Sequence, residues 1–305
     1  MRTYPYAVYD AFSEVSFGGS QGGIVLGAGD IDADMRLQIA REQGLPAICF
    51  VSSYSDNTVT ARFQSVKREY SMCGHGTICL MTHLLEIGAV SWDGCDRIDV
   101  DLVLPAAKTK VEIHRREDGR AIVMLDISPP EFRCDKFDVN QLANLLGICA
   151  EDFCQDLPLE TASGDFVHLI VPVKDLDCMR ALRPDFPGVT EFCKIHGLET
   201  IACFSQQVEC SDHNLHVRDF CPAVGVPESA AAGTTNAALS SYLVRHGVVK
   251  ANTSGMINIK AEQGLELKRP SFVQSSVHIE DGKIARLQVG GVATKTLDGY
   301  LHVPI

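Results

Sequence analysis

Two stretches of the chain share one pattern, in which a glycine opens an apolar helix. In the first, Cys73 precedes Gly74-His75-Gly76 and an apolar run that ends near Gly88. In the second, residues 228–247, small residues precede Gly233 and the apolar run ends at Gly247. A glycine just after the last helical residue is a common C-terminal cap. The pattern predicts two halves of one design, each with a buried helix whose N-terminus is directed at a shared site.

The start of each helix is chemically useful. The first backbone N–H groups of a helix lack internal partners, so an anion such as a carboxylate can bind there. A cysteine beside them has a stabilised thiolate, so we expect Cys73 to act as a base or nucleophile near neutral pH. In the second stretch we expect Thr234, Thr235 and Asn236 to cap the helix with their side chains.

Composition limits the possible partners. The 305 residues include 27 basic and 39 acidic side chains, for a net charge of -12, and no basic stripe appears, which argues against nucleic acid. No apolar run is long enough to cross a membrane. The first residues read as a strand rather than a signal peptide, so we expect a cytoplasmic protein.

The twelve cysteines are scattered, with no Cys-x-x-Cys pair and no cluster at zinc spacing. We therefore expect mostly buried free thiols in a reducing compartment. The histidines at 213 and 216 have poor spacing for a metal on a predicted strand. The sequence thus predicts no metal site.

Predicted strands outnumber predicted helices, and most are joined by hairpin-length turns. This pattern indicates an α+β fold with mostly antiparallel sheets rather than a doubly wound parallel sheet. Pro129-Pro130 interrupts the pattern. We therefore predict an N-terminal half, 1–117, which carries the Cys73 helix, and a C-terminal half, 118–305, which carries the Gly233 helix.

Several motifs along nearly the whole chain resemble one family. They are Tyr9-Asp-Ala-Phe12, the Gly-rich turn Phe17–Gly23 with the strand after it, Ile39-Ala-Arg-Glu42, Cys73-Gly74-His75, and Arg218–Val226 leading into Glu228 and Gly233-Thr234. Together they resemble the PhzF-like family of phenazine-biosynthesis isomerases, within the wider fold of diaminopimelate epimerase and proline racemase.

The resemblance implies two similar domains, each a barrel-like, mostly antiparallel sheet around a central helix, with the site at both helix N-termini. It also implies no cofactor, no metal and a homodimer. The residues that it places in the substrate-binding set are Ser20, Gly74, His75, Asp219, Gly233 and Thr234.

The chain departs from the family at its acids and bases. PhzF-type isomerases carry glutamate at the position of Ala47 and aspartate at the position of Ser229. Proline racemases and diaminopimelate epimerases keep their first catalytic cysteine at the position of Cys73, but their second would fall at Ala232. The chain thus keeps one of the two racemase bases.

These residues favour a cofactor-independent isomerase that acts next to the carboxylate of a small amino acid or related acid, with Cys73 as base. Glu228 is the first candidate for a general acid, on the expectation that burial raises its pKa. One alternative is a dehydratase of a β-hydroxy amino acid such as a hydroxyproline, since Ala232 removes the second thiol. A non-catalytic binding protein is the other alternative.

Overall fold

The computed structural model describes residues 1–55, 57–249 and 255–304. The chain forms two compact units, of which the first comprises Met1–Asp126 with Gly290–Ile305 and the second Ile127–Val289. These units differ from the predicted halves, 1–117 and 118–305, at residues 118–126 and 290–305. The strand at Ala121–Asp126 pairs with the one before it, and the strand at Ala293–Val303 pairs with the first strand of the chain, so both belong to the first unit.

Six α-helices occur in the described residues. They are α1 (Ala33–Gln43), α2 (Gly74–Glu86), α3 (Val139–Leu146), α4 (Leu176–Ala181), α5 (Phe186–His196) and α6 (Gly233–Arg245). None of the helices in this part of the chain is long and apolar enough to cross a membrane.

Eighteen strands lie in the same described ranges. Those from the N-terminus to residue 126 are β1 (Arg2–Ala11), β2 (Ser20–Leu26), β3 (Ala47–Ser55), β4 (Thr58–Gln64), β5 (Glu69–Tyr70), β6 (Arg97–Val103), β7 (Lys108–Arg115) and β8 (Ala121–Asp126). The remainder are β9 (Glu131–Arg133), β10 (Glu160–Ser163), β11 (Val167–Pro172), β12 (Thr200–Ser205), β13 (Leu215–Phe220), β14 (Glu228–Ser229), β15 (Gly255–Gln263), β16 (Ser271–Glu280), β17 (Lys283–Gly291) and β18 (Ala293–Val303).

The two units repeat one order of strand pairing. In the first, β1–β2 is antiparallel, β2–β3 parallel, β3–β4 and β4–β5 antiparallel, and β4–β6 parallel. In the second, β10–β11, β11–β12, β12–β13, β13–β14 and β13–β15 follow the same sequence of directions. Parallel pairs need a crossover connection, usually helical. In each unit the second crossover contains the helix that opens on glycine, α2 or α6.

Both of these helices are enclosed by their own unit, as their apolar sequences predict. Residues 76–84 of α2 and 235–243 of α6 are all buried. Helix α2 packs against β1, β2, β3, β8 and β18, and α6 packs against β11 and β16. Close approach of α2 to β2 depends on Gly22, since a Cβ atom there would lie 2.8 Å from the sulfur of Cys79.

We therefore expect Gly22→Ala to lower the free energy of unfolding by about 1–3 kcal/mol, the usual cost of overpacking a core. Urea denaturation provides the measurement. Gly299→Ala is the matched control, because a Cβ at Gly299 meets nothing within 4 Å and that change should stay within about 0.5 kcal/mol of the wild type. Equal stability of the two variants would contradict this account of the α2–β2 contact.

Candidate active site

In the first unit, the candidate site is the start of helix α2. Cys73 is the N-cap residue, with φ −144° and ψ 105°, and its side chain makes no capping hydrogen bond. Its carbonyl oxygen accepts hydrogen bonds from the backbone nitrogen and hydroxyl of Thr77, at 2.9 and 2.8 Å. Gly76 leaves room for the sulfur, because a Cβ there would lie 3.2 Å from Sγ of Cys73 and 2.9 Å from Cε1 of Phe63. The Gly-His-Gly sequence thus fits the thiol closely against the first helical turn.

The thiol of Cys73 is protonated at neutral pH. The residue is only 6% exposed, and burial raises the pKa of its thiol to about 12, although a hydrogen bond from the backbone of Gly76 opposes the rise. This corrects the expectation of a thiolate stabilised by the helix N-terminus. Loss of hydration disfavours the charged form of the thiol. Here this effect is larger than the stabilisation of a thiolate by the helix N-terminus and one N–H group.

His75 supplies the group nearest to this sulfur. Its Nδ1 and Nε2 atoms lie 3.6 and 3.7 Å from Sγ of Cys73. Burial lowers the pKa of His75 to about 4, so the imidazole is neutral at pH 7. The resting site is therefore a thiol beside a neutral imidazole, with no net charge on either side chain.

Two further positions in this unit were singled out from the sequence. Ser20 begins β2 instead of lying in the predicted turn, and by strand periodicity it shares a face with Gly22, where a Cβ would lie 3.6 Å from the Cα atom of Gly76. That face of β2 adjoins the start of α2. Ala47 is fully buried and pairs with Gly22, so the position that holds glutamate in PhzF-type isomerases offers no acid here.

In the second unit, helix α6 begins with the same backbone geometry but different chemistry. Ala232 is its N-cap residue, with φ −134° and ψ 112°, and makes no capping hydrogen bond. The predicted side-chain caps are wrong for Thr235 and Asn236. The hydroxyl of Thr235 donates to Asp219 at 2.9 Å, and Nδ2 of Asn236 donates to the Ala232 carbonyl and to Gln263, both at 2.9 Å.

Asp219 is the buried acid at this helix start. It lies on β13, is 2% exposed, and burial raises the pKa of its carboxyl to about 6, against the opposing effect of the Thr235 and Thr200 hydroxyls. The Thr200 hydroxyl also contacts Nδ1 of His168 at 2.7 Å, and burial lowers the pKa of His168 to about 4. His168 and Thr234 line the same small hollow. Nothing in the sequence pointed to His168 or Thr200, which lie within ordinary strand patterns.

Glu228 is held by an ion pair. Its two carboxylate oxygens accept hydrogen bonds from Nε and Nη2 of Arg218, each at 2.9 Å, and both side chains are under 10% exposed. Nη1 of Arg218 donates to the carbonyls of Met179 and Leu182 at 3.1 Å. A bidentate pair of this kind fixes the position and orientation of the carboxylate. The pair argues for a positioning role of Glu228 rather than proton donation.

Comparison with known proteins fits this arrangement. The profile of the family described as phenazine biosynthesis-like protein, PhzC-PhzF, matches residues 9–299. The uncharacterized isomerase YddE of Escherichia coli is 27% identical over 296 residues, which cover 96% of each chain.

Solved structures share the fold. A phenazine biosynthesis protein of the PhzF family from Bacillus anthracis superposes with a TM-score of 0.88 at 23% identity, covering 99% of this chain and 100% of the other. A hydroxyproline epimerase from Agrobacterium vitis, solved with bound trans-4-hydroxy-L-proline, gives a TM-score of 0.60 at 13% identity, covering 99% and 91%. The chain thus has a mixed fold of strands and helices similar to those of PhzF and proline racemase proteins.

The buried acid yields a stability prediction. The native pKa of Asp219 lies above its unfolded value of 3.8, so the native state binds more protons between those values, and stability falls as pH rises through 6. We expect Asp219→Asn to be stabilised relative to the wild type, by about 1 kcal/mol more at pH 8 than at pH 5. Urea denaturation at both pH values measures the difference. Asp177→Asn, at an exposed carboxylate, is the control, and a pH-independent effect of Asp219→Asn would contradict the burial argument.

Proposed function

The chain belongs to the phenazine biosynthesis-like family, PhzC-PhzF, and we propose that it is a cofactor-independent isomerase that moves a proton next to the carboxylate of a small amino acid or related acid. Its curated relatives are named isomerases. One observation carries the assignment to a site: a thiol and an imidazole lie 3.6 Å apart at the start of the buried helix α2.

The first step is binding of the substrate carboxylate. The N–H groups at Gly74 and His75 start a helix whose N-cap side chain makes no capping bond, so they can receive an anion. That anion raises the pKa of His75, because a nearby negative charge favours imidazolium. The imidazole then accepts the proton of the Cys73 thiol. The result is a thiolate beside the carbon that carries the carboxylate.

The second step is proton transfer. A desolvated thiolate derived from a thiol of pKa about 12 is a stronger base than one in water. It removes the proton next to the carboxylate, and the N–H groups that bind the carboxylate stabilise the enolate that forms. Return of the proton at a conjugated carbon completes an isomerisation, whereas its return to the same face of the same carbon restores the substrate. Cys73 therefore serves as both base and acid in turn.

The second unit contributes groups of its own. Gly233 and Thr234 begin α6. As in α2, the N-cap residue is extended and its side chain makes no capping hydrogen bond. Asp219, with a pKa near 6, is a titratable group joined to the first turn of α6 through Thr235. Asp219 stays a prediction as a residue that binds the substrate. The role of Glu228 as general acid stays a prediction. Its ion pair with Arg218 favours a positioning role instead.

Two features that the resemblance implies remain part of this proposal. One is a barrel-like sheet around a central helix in each unit, which the packing of α2 against five strands supports for the first unit. The other is a cytoplasmic homodimer, which stays a prediction from the resemblance.

We expect Cys73→Ala to slow turnover by about 10²–10⁴-fold, the usual contribution of a general acid–base group. The assay follows exchange of the α-proton in deuterated water by NMR for a panel of proline, the hydroxyprolines and other small amino acids. Cys49→Ala is the matched control, because Cys49 is also fully buried and belongs to the same unit. Full activity of Cys73→Ala on a substrate found with the panel would refute the assignment.

The pH dependence tests the same residue in the free enzyme. The mechanism starts from a protonated thiol of pKa about 12 and a neutral imidazole of pKa about 4, and the proton only passes between them, so we expect kcat/KM to stay level between pH 5 and pH 8. A rise of about tenfold per pH unit over that range would show that the thiol must lose its proton to solvent before the substrate binds, contrary to the proposed step.

Dehydration is the second candidate reaction, and Ala232 is the observation that favours it. A racemase needs a second thiol at that place, whereas loss of a β-hydroxyl needs only one base. With a 3-hydroxyproline in deuterated water, isomerisation leaves label in a recovered isomer, and dehydration gives an imine or keto acid. The non-catalytic alternative predicts that the protein exchanges the α-proton of no amino acid in the panel.

A further inference from the structure

A second group of reactive side chains lies on a turn of the second unit, in the connection from β12 to β13. The turn Cys210–His213 is closed by a hydrogen bond from the backbone N–H of His213 to the carbonyl of Cys210 at 3.0 Å. The thiol of Cys210, a carboxylate oxygen of Asp212 and a ring nitrogen of His213 all lie within 4.8 Å of one another. Among the described residues, this is the one group of three such donors.

The imidazole of His213 is held in place but unsatisfied. Its side chain is 7% exposed, and its ring stacks on Phe272 with centroids 4.8 Å apart and an angle of 8°. Nδ1 is buried and makes no hydrogen bond within the described parts of the chain. It lies 3.7 Å from Oδ1 of Asp212 and 3.3 Å from Oε2 of Glu262. Two carboxylate oxygens thus lie near a buried ring nitrogen that makes no hydrogen bond among the described residues, an arrangement that a bound cation would explain.

Glu262 brings a fourth donor from β15. Its Oε2 atom accepts a hydrogen bond from the backbone N–H of Cys210 at 3.0 Å, and Oε1 accepts from Glu209 at 2.6 Å and contacts Nδ1 of His216 at 2.8 Å. The carboxylate is therefore fixed before any ligand arrives. Lys260 lies 3.5 Å from the other oxygen of Asp212, Oδ2, so Oδ1 is the oxygen that faces the cluster.

We propose that Cys210, Asp212 and His213, with Glu262 as fourth donor, bind a zinc ion. Sulfur, imidazole nitrogen and carboxylate oxygen are the zinc donors of proteins, while magnesium and calcium prefer oxygen alone. Zinc bonds of about 2.0–2.3 Å in a tetrahedron separate neighbouring donors by roughly 3.3–3.7 Å. The distances from Nδ1 to the two oxygens already match that range.

Binding requires rearrangement of the turn, because Glu262 is not among the donors that already lie within 4.8 Å of one another. The sulfur of Cys210 now lies 2.7 Å from Oδ1 of Asp212, with the thiol as donor. Zinc replaces that proton, which is released to solvent as the zinc–thiolate bond forms, and the sulfur and oxygen move apart by about 1 Å. Both residues are exposed on a turn and can move. The four donors then join the turn to β15, so the site is structural rather than catalytic.

The sequence prediction of no metal considered His213 together with His216. In the structure His216 contacts Glu262 and Glu266 through its two ring nitrogens, at 2.8 and 2.9 Å, and has none left for a metal. The informative spacing is instead Cys210-x-Asp212-His213, which a single turn brings together.

The test uses the full chain, stripped with a chelator and titrated with cobalt and then zinc. Wild-type protein should show thiolate-to-cobalt charge-transfer absorption that one equivalent of zinc abolishes, and zinc should raise its melting temperature. Cys210→Ala should lose the absorption, and His213→Gln should bind zinc at least tenfold more weakly. Cys149→Ala and His278→Gln, at exposed side chains outside the cluster, should behave as wild type.

Absence of charge-transfer absorption in the wild type would overturn the proposal. So would absorption that persists in Cys210→Ala, which would assign the metal to another of the twelve thiols. Circular dichroism of each stripped variant confirms folding, and Asp212→Asn, an exposed and isosteric change, provides a further ligand variant that should weaken zinc binding.

Discussion

Desolvation at the starts of two enclosed helices determines most of the properties of this protein. The packing of α2 against five strands removes water from Cys73 and His75, and burial on β13 does the same for Asp219. Each group responds by favouring its neutral form, so the pKa values of thiol and carboxyl rise and that of imidazole falls. The fold thus favours these acid–base groups in their neutral forms, and under the proposed mechanism a charged substrate would change the protonation states of the thiol and the imidazole.

The two enclosed helix starts differ in their chemistry. They share backbone geometry, yet the N-cap residue is a cysteine in one and an alanine in the other. In the first unit the titratable pair lies on the helix itself. In the second, the helix reaches its acid through the hydroxyl of Thr235. A one-thiol reaction fits this asymmetry better than exchange between two thiols.

Much of the fold was predictable from the sequence, because the apolar runs and the glycines that bound them report burial directly. The two glycine-led helices agree with their predicted positions. The return of β18 to the first unit could not be inferred from local patterns, because its pairing with β1 joins residues nearly 300 positions apart.

The sequence located the candidate residues at the two helix starts but not their charge states. The motif around Cys73 located the thiol and imidazole, whereas a local pattern cannot report how much water neighbouring strands exclude. The network of His168 and Thr200 with Asp219 could not be predicted from the sequence either, because its residues lie on three different strands. Arg218 and Glu228 also pair across adjacent strands, and their bidentate contact could not be inferred from spacing alone.

The pairing of β1 with β18 has a consequence for how the chain acquires its structure. The second unit, Ile127–Val289, is continuous and is fully synthesised before β18 emerges from the ribosome. The first unit is interrupted by it and stays without a strand that pairs with β1 and packs on α2 until translation nears its end. Domains commonly form in order from the amino end, but here the second unit is the first to have all of its strands available.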